Sequence, residues 1–246
     1  MFGDLNKSGE EQIKESGDKL GGGGLFDSSI YGMTIVAAYA GTAASGARSV
    51  TVEAKDKESG KTFKTTQWVT SGTEKGCKNY YEKDGEKHYL PGFELINAIC
   101  MMTCNKGLTE VAIEQKTLKI WDSAAKAETP QQVPVLVELT GKDIYFGVLK
   151  QKLNKQVKDD DGKYVDTNDV REQNELDRVF HFPSKKTMSE ARAGGEAEFH
   201  TKWMEKWHDK VQDKFKAVVG GAAAGRAARP DSAGAAGESK PSSLFN

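Results

Sequence analysis

Residues 133–158, VPVLVELTGKDIYFGVLKQKLNKQVK, decide the fold class. Val133, Val135, Val137 and Leu139 alternate with other residues over one strand's length. Gly141, Lys142 and Asp143 then give a turn signal, and residues 144–153 read as a strand running back. The pattern predicts a β-hairpin. Its returning strand carries Lys150, Lys152, Lys155 and Lys158, interleaved with Gln151, Asn154 and Gln156 and with no acidic residue among them. Asp159, Asp160 and Asp161 then reverse the sign, a boundary that predicts one surface for a polyanion beside another that repels it.

Upstream, the same period of two continues. Tyr31, Met33, Ile35, Ala37 and Tyr39 alternate in a first strand that ends in the small-residue loop 41–46. A second strand, 48–56, has Val50, Val52 and Ala54 on one face and Ser49, Thr51, Glu53 and Lys55 on the other. After the KESGK turn, strand 61–70 begins at Lys61 and sets Thr62, Lys64, Thr66, Trp68 and Thr70 on one face, with Phe63, Thr65, Gln67 and Val69 on the other. Trp68 thus shares a polar row with a lysine. Either another segment covers that row and Trp68 is core, or Trp68 is an exposed stacking platform.

The loop 71–91 interleaves Lys75, Lys78, Lys83 and Lys87 with Tyr80, Tyr81, His88 and Tyr89. Ammonium groups meet phosphates while rings stack on bases, so this is the mixture a single-strand groove needs. Glu74, Glu82, Asp84 and Glu86 offset the charge, and the bland reading is a solvated hairpin turning at Asp84 and Gly85. In residues 92–105, GFELINAICMMTCN, the period becomes helical through Phe93, Ile96, Ile99 and Cys100, and Gly107 supplies a stop. This helix is expected to plug one end of a barrel. Strand-like runs follow at 111–115 and 117–121. Beyond the acidic boundary, 168–180 reads as a polar helix or loop, and Thr187 with Glu190 matches a capping box. A helix over 196–219 then carries Phe199, Trp203, Trp207, Val211 and Phe215 every four residues, an apolar stripe for docking on the barrel or on another subunit.

Composition sets the frame. The 246 residues are 37% hydrophobic with net charge −1, so any nucleic-acid surface must come from local clustering. The expected organisation is a flexible arm (1–28, with Gly21 to Gly24 in a row), a β core (29–182), a helical extension (183–219) and a disordered Ala/Gly-rich tail (220–246). No signal peptide and no apolar run of about 20 residues is present, which predicts a soluble, intracellular protein without a membrane partner. Three cysteines form no even disulfide framework. Phosphate-loop, dinucleotide, nucleophile-elbow and paired-histidine patterns are absent, so neither catalysis nor a cofactor is expected. Asp159 to Asp161 lack calcium-loop spacing and read as a turn. Cys100 and Cys104 lie one helical turn apart, and Cys77 with His88 would complete a Cys₃His zinc set; buried structural thiols are the alternative.

Five or six strands with a helix between the third and fourth, closed into an antiparallel barrel, is the layout of an OB-fold. Rings stack only on unpaired bases, so the lysines and aromatics favour single-stranded nucleic acid over duplex. Residues 145–182, YFGVLKQKLNKQVKDDDGKYVDTNDVREQNELDRVFHF, and TMSEARAGGEAEFHTKWMEKW beyond them, resemble single-stranded DNA-binding proteins of tailed bacteriophages, including podoviruses with their own RNA polymerase. The resemblance covers roughly residues 30–215 by pattern. It implies an OB-fold core, sequence-independent binding of single-stranded DNA, and service to phage replication, recombination or transcription in the cytoplasm of the infected host. Phage replication proteins or RNA polymerase are the partners it implies, with self-association on DNA. The tail departs from that family in having few acids near Phe245. The residues assigned to DNA are Lys61, Lys64, Trp68, Lys75, Lys78, Tyr80, Tyr81, Lys87, Lys150, Lys152, Lys155 and Lys158. A β-rich interaction module, serving as a transcription accessory or virion protein, is the alternative from another class.

Overall fold

A computed structural model describes residues 24–218, mainly as antiparallel β-strands with short helices. Residues 1–23 and 219–246, including Phe2, Leu5, Leu244 and Phe245, lie outside the described residues. The described chain forms two units, 24–152 with 172–213 and 153–171 with 214–218. No helix among the described residues is long and apolar enough to cross a membrane.

The larger unit starts as a meander of β1 (Ser29–Thr42), β2 (Arg48–Asp56) and β3 (Thr62–Trp68). Met33, Ile35, Val50, Val52, Ala54 and Phe63 turn into one core, as their alternation requires. A bulge between Ile35 and Ala37 changes the phase of β1. Val36 is left exposed, Ala38 enters the core, and Tyr39 comes beside Thr51 on the opposite face. The uninterrupted alternation from Tyr31 to Tyr39 expected from sequence is therefore broken in the middle. The segment read as an arm also contributes to the body, since Phe26 is buried among Tyr31 and Phe63.

The bulge is where β1 changes partner. β8 (Asp143–Lys158) pairs with its first half, from Ser29↔Val148 to Thr34↔Asp143, and β7 (Ala127–Leu136) meets its second half at Tyr39↔Val135. The expected hairpin between 133–139 and 144–153 does not form. The Val137–Leu139 3₁₀ turn separates the two strands and sends Leu139 into the core, while Gly141 N–H and Lys142 C=O bond Ile35 at the bulge. β7 pairs instead with β6 (Ile113–Asp122), one strand where two short runs were expected.

The sheet runs β10-β8-β1-β2-β3, β10 being Val211–Asp213, with β7 joined to β1 and β9 (Tyr164–Phe180) to β8. Among the described strands β3 pairs only with β2, so the sheet is open and not the five- to six-stranded closed barrel expected. The space beside β3 is taken by α1 (Pro91–Cys104), which buries Gly92, Ile96, Ile99 and Cys100. Its stop is Asn105, in the left-handed region with N–H bonded to Met101 C=O, and not Gly107. A separate hairpin of β4 (Tyr80–Lys83) and β5 (Glu86–Tyr89) lies between β3 and α1.

Two further expectations are corrected. Residues 168–180 are strand, not a polar helix or loop. The capping box heads only α2 (Met188–Ala193), and the long helix expected over 196–219 ends early: α3 is Glu198–Trp207, followed by β10 (Val211–Asp213) parallel to β8. Asp209 adopts φ 56°, and its N–H bonds Ser28 C=O at 2.9 Å, which stops the helix. Trp203 is buried with Leu149 and Phe180, so α3 docks on its own sheet.

His200 packs its ring against Phe180 at 5.3 Å between centroids. Burial pulls its pKa down, the Lys185 charge adds to that, and Glu190 opposes it. A histidine held below its unfolded value stabilises the fold above that value, about 6.5. The contribution is lost as pH falls through the depressed folded pKa. Urea unfolding should therefore show stability falling on acidification through the window below about 6.5, and His200→Gln should flatten that part of the profile; an unchanged slope would remove His200 from the linkage.

In the smaller unit, Asp159 to Asp161 form the turn their composition suggests: Asp159 N–H bonds Lys163 C=O at 2.8 Å, and Gly162 takes φ 76°. Asn154 ties this ribbon to the following chain, donating to Thr167 C=O and Lys216 C=O and accepting from Lys216 N–H.

Candidate nucleic-acid interface

Trp68 closes β3 opposite Ser49, on the face that also carries Lys64 and Thr66, and is 49% exposed. Opposite the core the meander is built in rows: the buried Tyr39 and Thr51 with Thr66 in one, the buried Ser49 with the exposed Trp68 in the next. Thr51 and Thr66 join their hydroxyls at 2.8 Å. Lys64 bridges to Glu53 at 2.6 Å and lies 5.7 Å from the Tyr39 ring centre. Burial lowers the Lys64 pKa, but hydrogen bonds and charge from Glu53 and Tyr39 outweigh that and raise it, so this face keeps a charged ammonium.

The hairpin β4–β5 is tied to the same end of the sheet. Ser71 N–H bonds Lys78 C=O at 2.8 Å, Leu90 N–H bonds Asn79 C=O at 2.9 Å, and Gly92 rests directly on the Trp68 backbone. Cross-strand pairs are Tyr80↔Tyr89 and Tyr81↔His88. Lys78 and Lys87 both stand over Tyr80, at 5.4 and 5.0 Å from its ring centre, while Tyr81 and Tyr89 stay exposed. Rings and ammonium groups therefore alternate from Trp68 into the hairpin. Lys75 ends the Thr73–Lys75 3₁₀ turn, whose Thr73 N–H reaches Ser45 C=O in the β1–β2 loop.

The other assigned lysines are placed differently. Lys61 covers the ring of the buried Phe26 at 4.2 Å. Lys150 faces Asp27 and Glu172 at 3.5 and 3.7 Å, and Lys152 faces Asp213 at 3.4 Å, so acids distant in sequence offset both. Lys155 and Lys158 belong to the smaller unit, where Lys158 lies over Tyr164 at 5.5 Å. The four lysines do not form a single unpaired basic arm. Two rings near these elements were not among the expected site residues: Tyr39, buried beside Lys64, and Trp121, 59% exposed on β6, whose signal is the alternation of Lys119 with Trp121.

The zinc set is not assembled. Cys77 Sγ faces Gly46 C=O at 3.7 Å, and His88 stacks near Tyr81 on β5. Cys100 is in the core, where burial, then the nearby Cys104, push its thiol up to about 12, and Cys104 Sγ donates to Glu138 C=O. Among the described residues no three His, Cys, Asp or Glu side chains come together to hold a metal. Comparison of the chain with protein-family models and with curated proteins finds no match.

Proposed function

We propose that the chain binds single-stranded DNA without strong sequence preference, protecting or organising it during phage replication, recombination or transcription in the host cytoplasm. The observation that carries this reading is the exposed Trp68, set on a polar sheet face and continued by the lysine-flanked rings of β4–β5. An OB-type core is supported by the three-stranded meander, the long bulged first strand shared between two partners, and the helix that follows the meander. Phage replication proteins or RNA polymerase are its proposed partners. The acids Glu82, Asp84 and Glu86 among the hairpin lysines favour the second reading, a β-rich interaction module whose rings meet protein.

Fluorescence anisotropy with an oligonucleotide separates the two. Single-strand affinity should fall linearly with salt on a log-log plot, by about 0.7 per phosphate contacted, and exceed duplex affinity; equal or tighter duplex binding defeats the proposal. Trp68→Ala should weaken binding by about 1–3 kcal/mol if the ring stacks on a base, while the exposed position leaves the melting temperature nearly unchanged. Intact binding with a marked loss of stability would make Trp68 a structural residue.

A further inference from the structure

The hairpin β6–β7 presents two edges of different character. In an antiparallel ladder, successive pairs alternate between exchanging backbone hydrogen bonds and pointing those groups away. Proline has no N–H to exchange, and Pro134 and Pro130 stand opposite Gln115 and Lys119. The Val137 N–H bond to Ala112 C=O has the same phase. Ile113, Gln115, Thr117, Lys119 and Trp121 therefore turn their N–H and C=O groups away from β7. On the far side of β7 the corresponding residues are Glu128, Pro130, Gln132 and Pro134, an edge blocked by two prolines and a charge. β6 has no such guard. Among the described strands it pairs only with β7, and all five of its outward residues are exposed.

We propose that this edge binds a second copy of the chain, β6 pairing antiparallel with β6 about a two-fold axis through Thr117. That register sets Ile113 of each copy against Trp121 of the other, joining two large apolar side chains that are 56% and 59% exposed. It also sets Gln115 against Lys119, Glu114 against Ile120 and Lys116 against Leu118, with no like charges directly opposed. Shifting the axis to Lys116 or Lys119 opposes a lysine to itself, and shifting it to Leu118 opposes Glu114 to Asp122. An axis at Gln115 leaves Trp121 unpaired. Charge and apolar pairing thus select one register, and the partner surface is this same strand. The inference is independent of DNA binding.

Sedimentation velocity of the full chain without DNA tests it. A reversible dimer that dissociates on dilution is expected. Thr117→Pro removes only an outward N–H and should weaken the dimer at least about tenfold, whereas Gln132→Pro, the same change on the outer edge of β7, should leave it intact. Thr117→Cys should give a covalent dimer under mild oxidation that neither the wild type nor Gln132→Cys gives, and thermal melts establish that each variant folds. Monomer at every concentration, a dimer that survives Thr117→Pro, or failure of Thr117→Cys to cross-link would overturn the proposal.

Discussion

Alanine at position 92 is expected to lower the stability of the protein by about 2 kcal/mol and to weaken single-strand binding by the molecules that still fold. Gly92 lies in the first turn of α1, and a Cβ built there falls 2.3 Å from the Trp68 carbonyl oxygen and 3.0 Å from both the Trp68 carbonyl carbon and nitrogen. These are backbone atoms, so no rotamer change relieves the overlap; helix and strand must separate. Overpacking of this kind costs about 1–3 kcal/mol and occasionally more. The better helix propensity of alanine returns at most about 1 kcal/mol, so the clash decides the sign. The displaced atoms belong to Trp68, the residue proposed to stack on a base, so under that proposal stability and binding are coupled here. A thermal melt should fall by about 2–4 °C per kcal/mol. Gly107→Ala, where the added carbon meets Glu110 at an ordinary 3.4 Å, should change little. Equal melts for the two variants would remove the close approach from the account of the fold.

The place of Trp68 was within reach of the sequence as one of two alternatives, because period two assigns Lys64, Thr66 and Trp68 to one face whatever their partners. What covers that face is a tertiary fact. The partners of a strand are likewise invisible to alternation. Residues 133–139 and 144–153 each carry the right pattern, and both satisfy it against β1. The bulge that makes this possible leaves an apolar valine in the open, against every sequence signal. Residues 168–180 escaped because their first five, 168–172, are exposed on both faces and so need no alternation. The aromatic stripe from Phe199 to Phe215 misled for the opposite reason: its spacing continues past Asp209, whose left-handed backbone ends the helix. Lys150 and Lys152 read as free cations because Asp27, Glu172 and Asp213 are remote along the chain.

Trp203→Ala is expected to give the largest loss, about 3–5 kcal/mol for removing a buried tryptophan. Trp203 is 3% exposed, and its ring carbons pack against Gly147 of β8, where an added Cβ would sit 3.3 Å from Cζ2. Gly147 is therefore the recess that lets the helix approach the strand. The indole N–H donates to Asp177 Oδ2 at 2.7 Å, which fixes the ring's rotation and links α3 to β9 as well as to β8. Truncation opens a cavity beneath the helix and deprives the carboxylate of its donor; water can take the donor's place because Asp177 is partly exposed. Trp203→Phe separates the contributions, since it keeps most of the packing and loses the N–H. It should cost about 1 kcal/mol for the hydrogen bond plus a smaller packing loss. Filling the recess by Gly147→Ala should also destabilise, because the Trp203 ring must then lift. Urea unfolding of the three variants should rank Trp203→Ala lowest. A Trp203→Ala protein as stable as the wild type would mean that α3 is not held by its own sheet, and that its apolar stripe must find its cover on a neighbouring molecule.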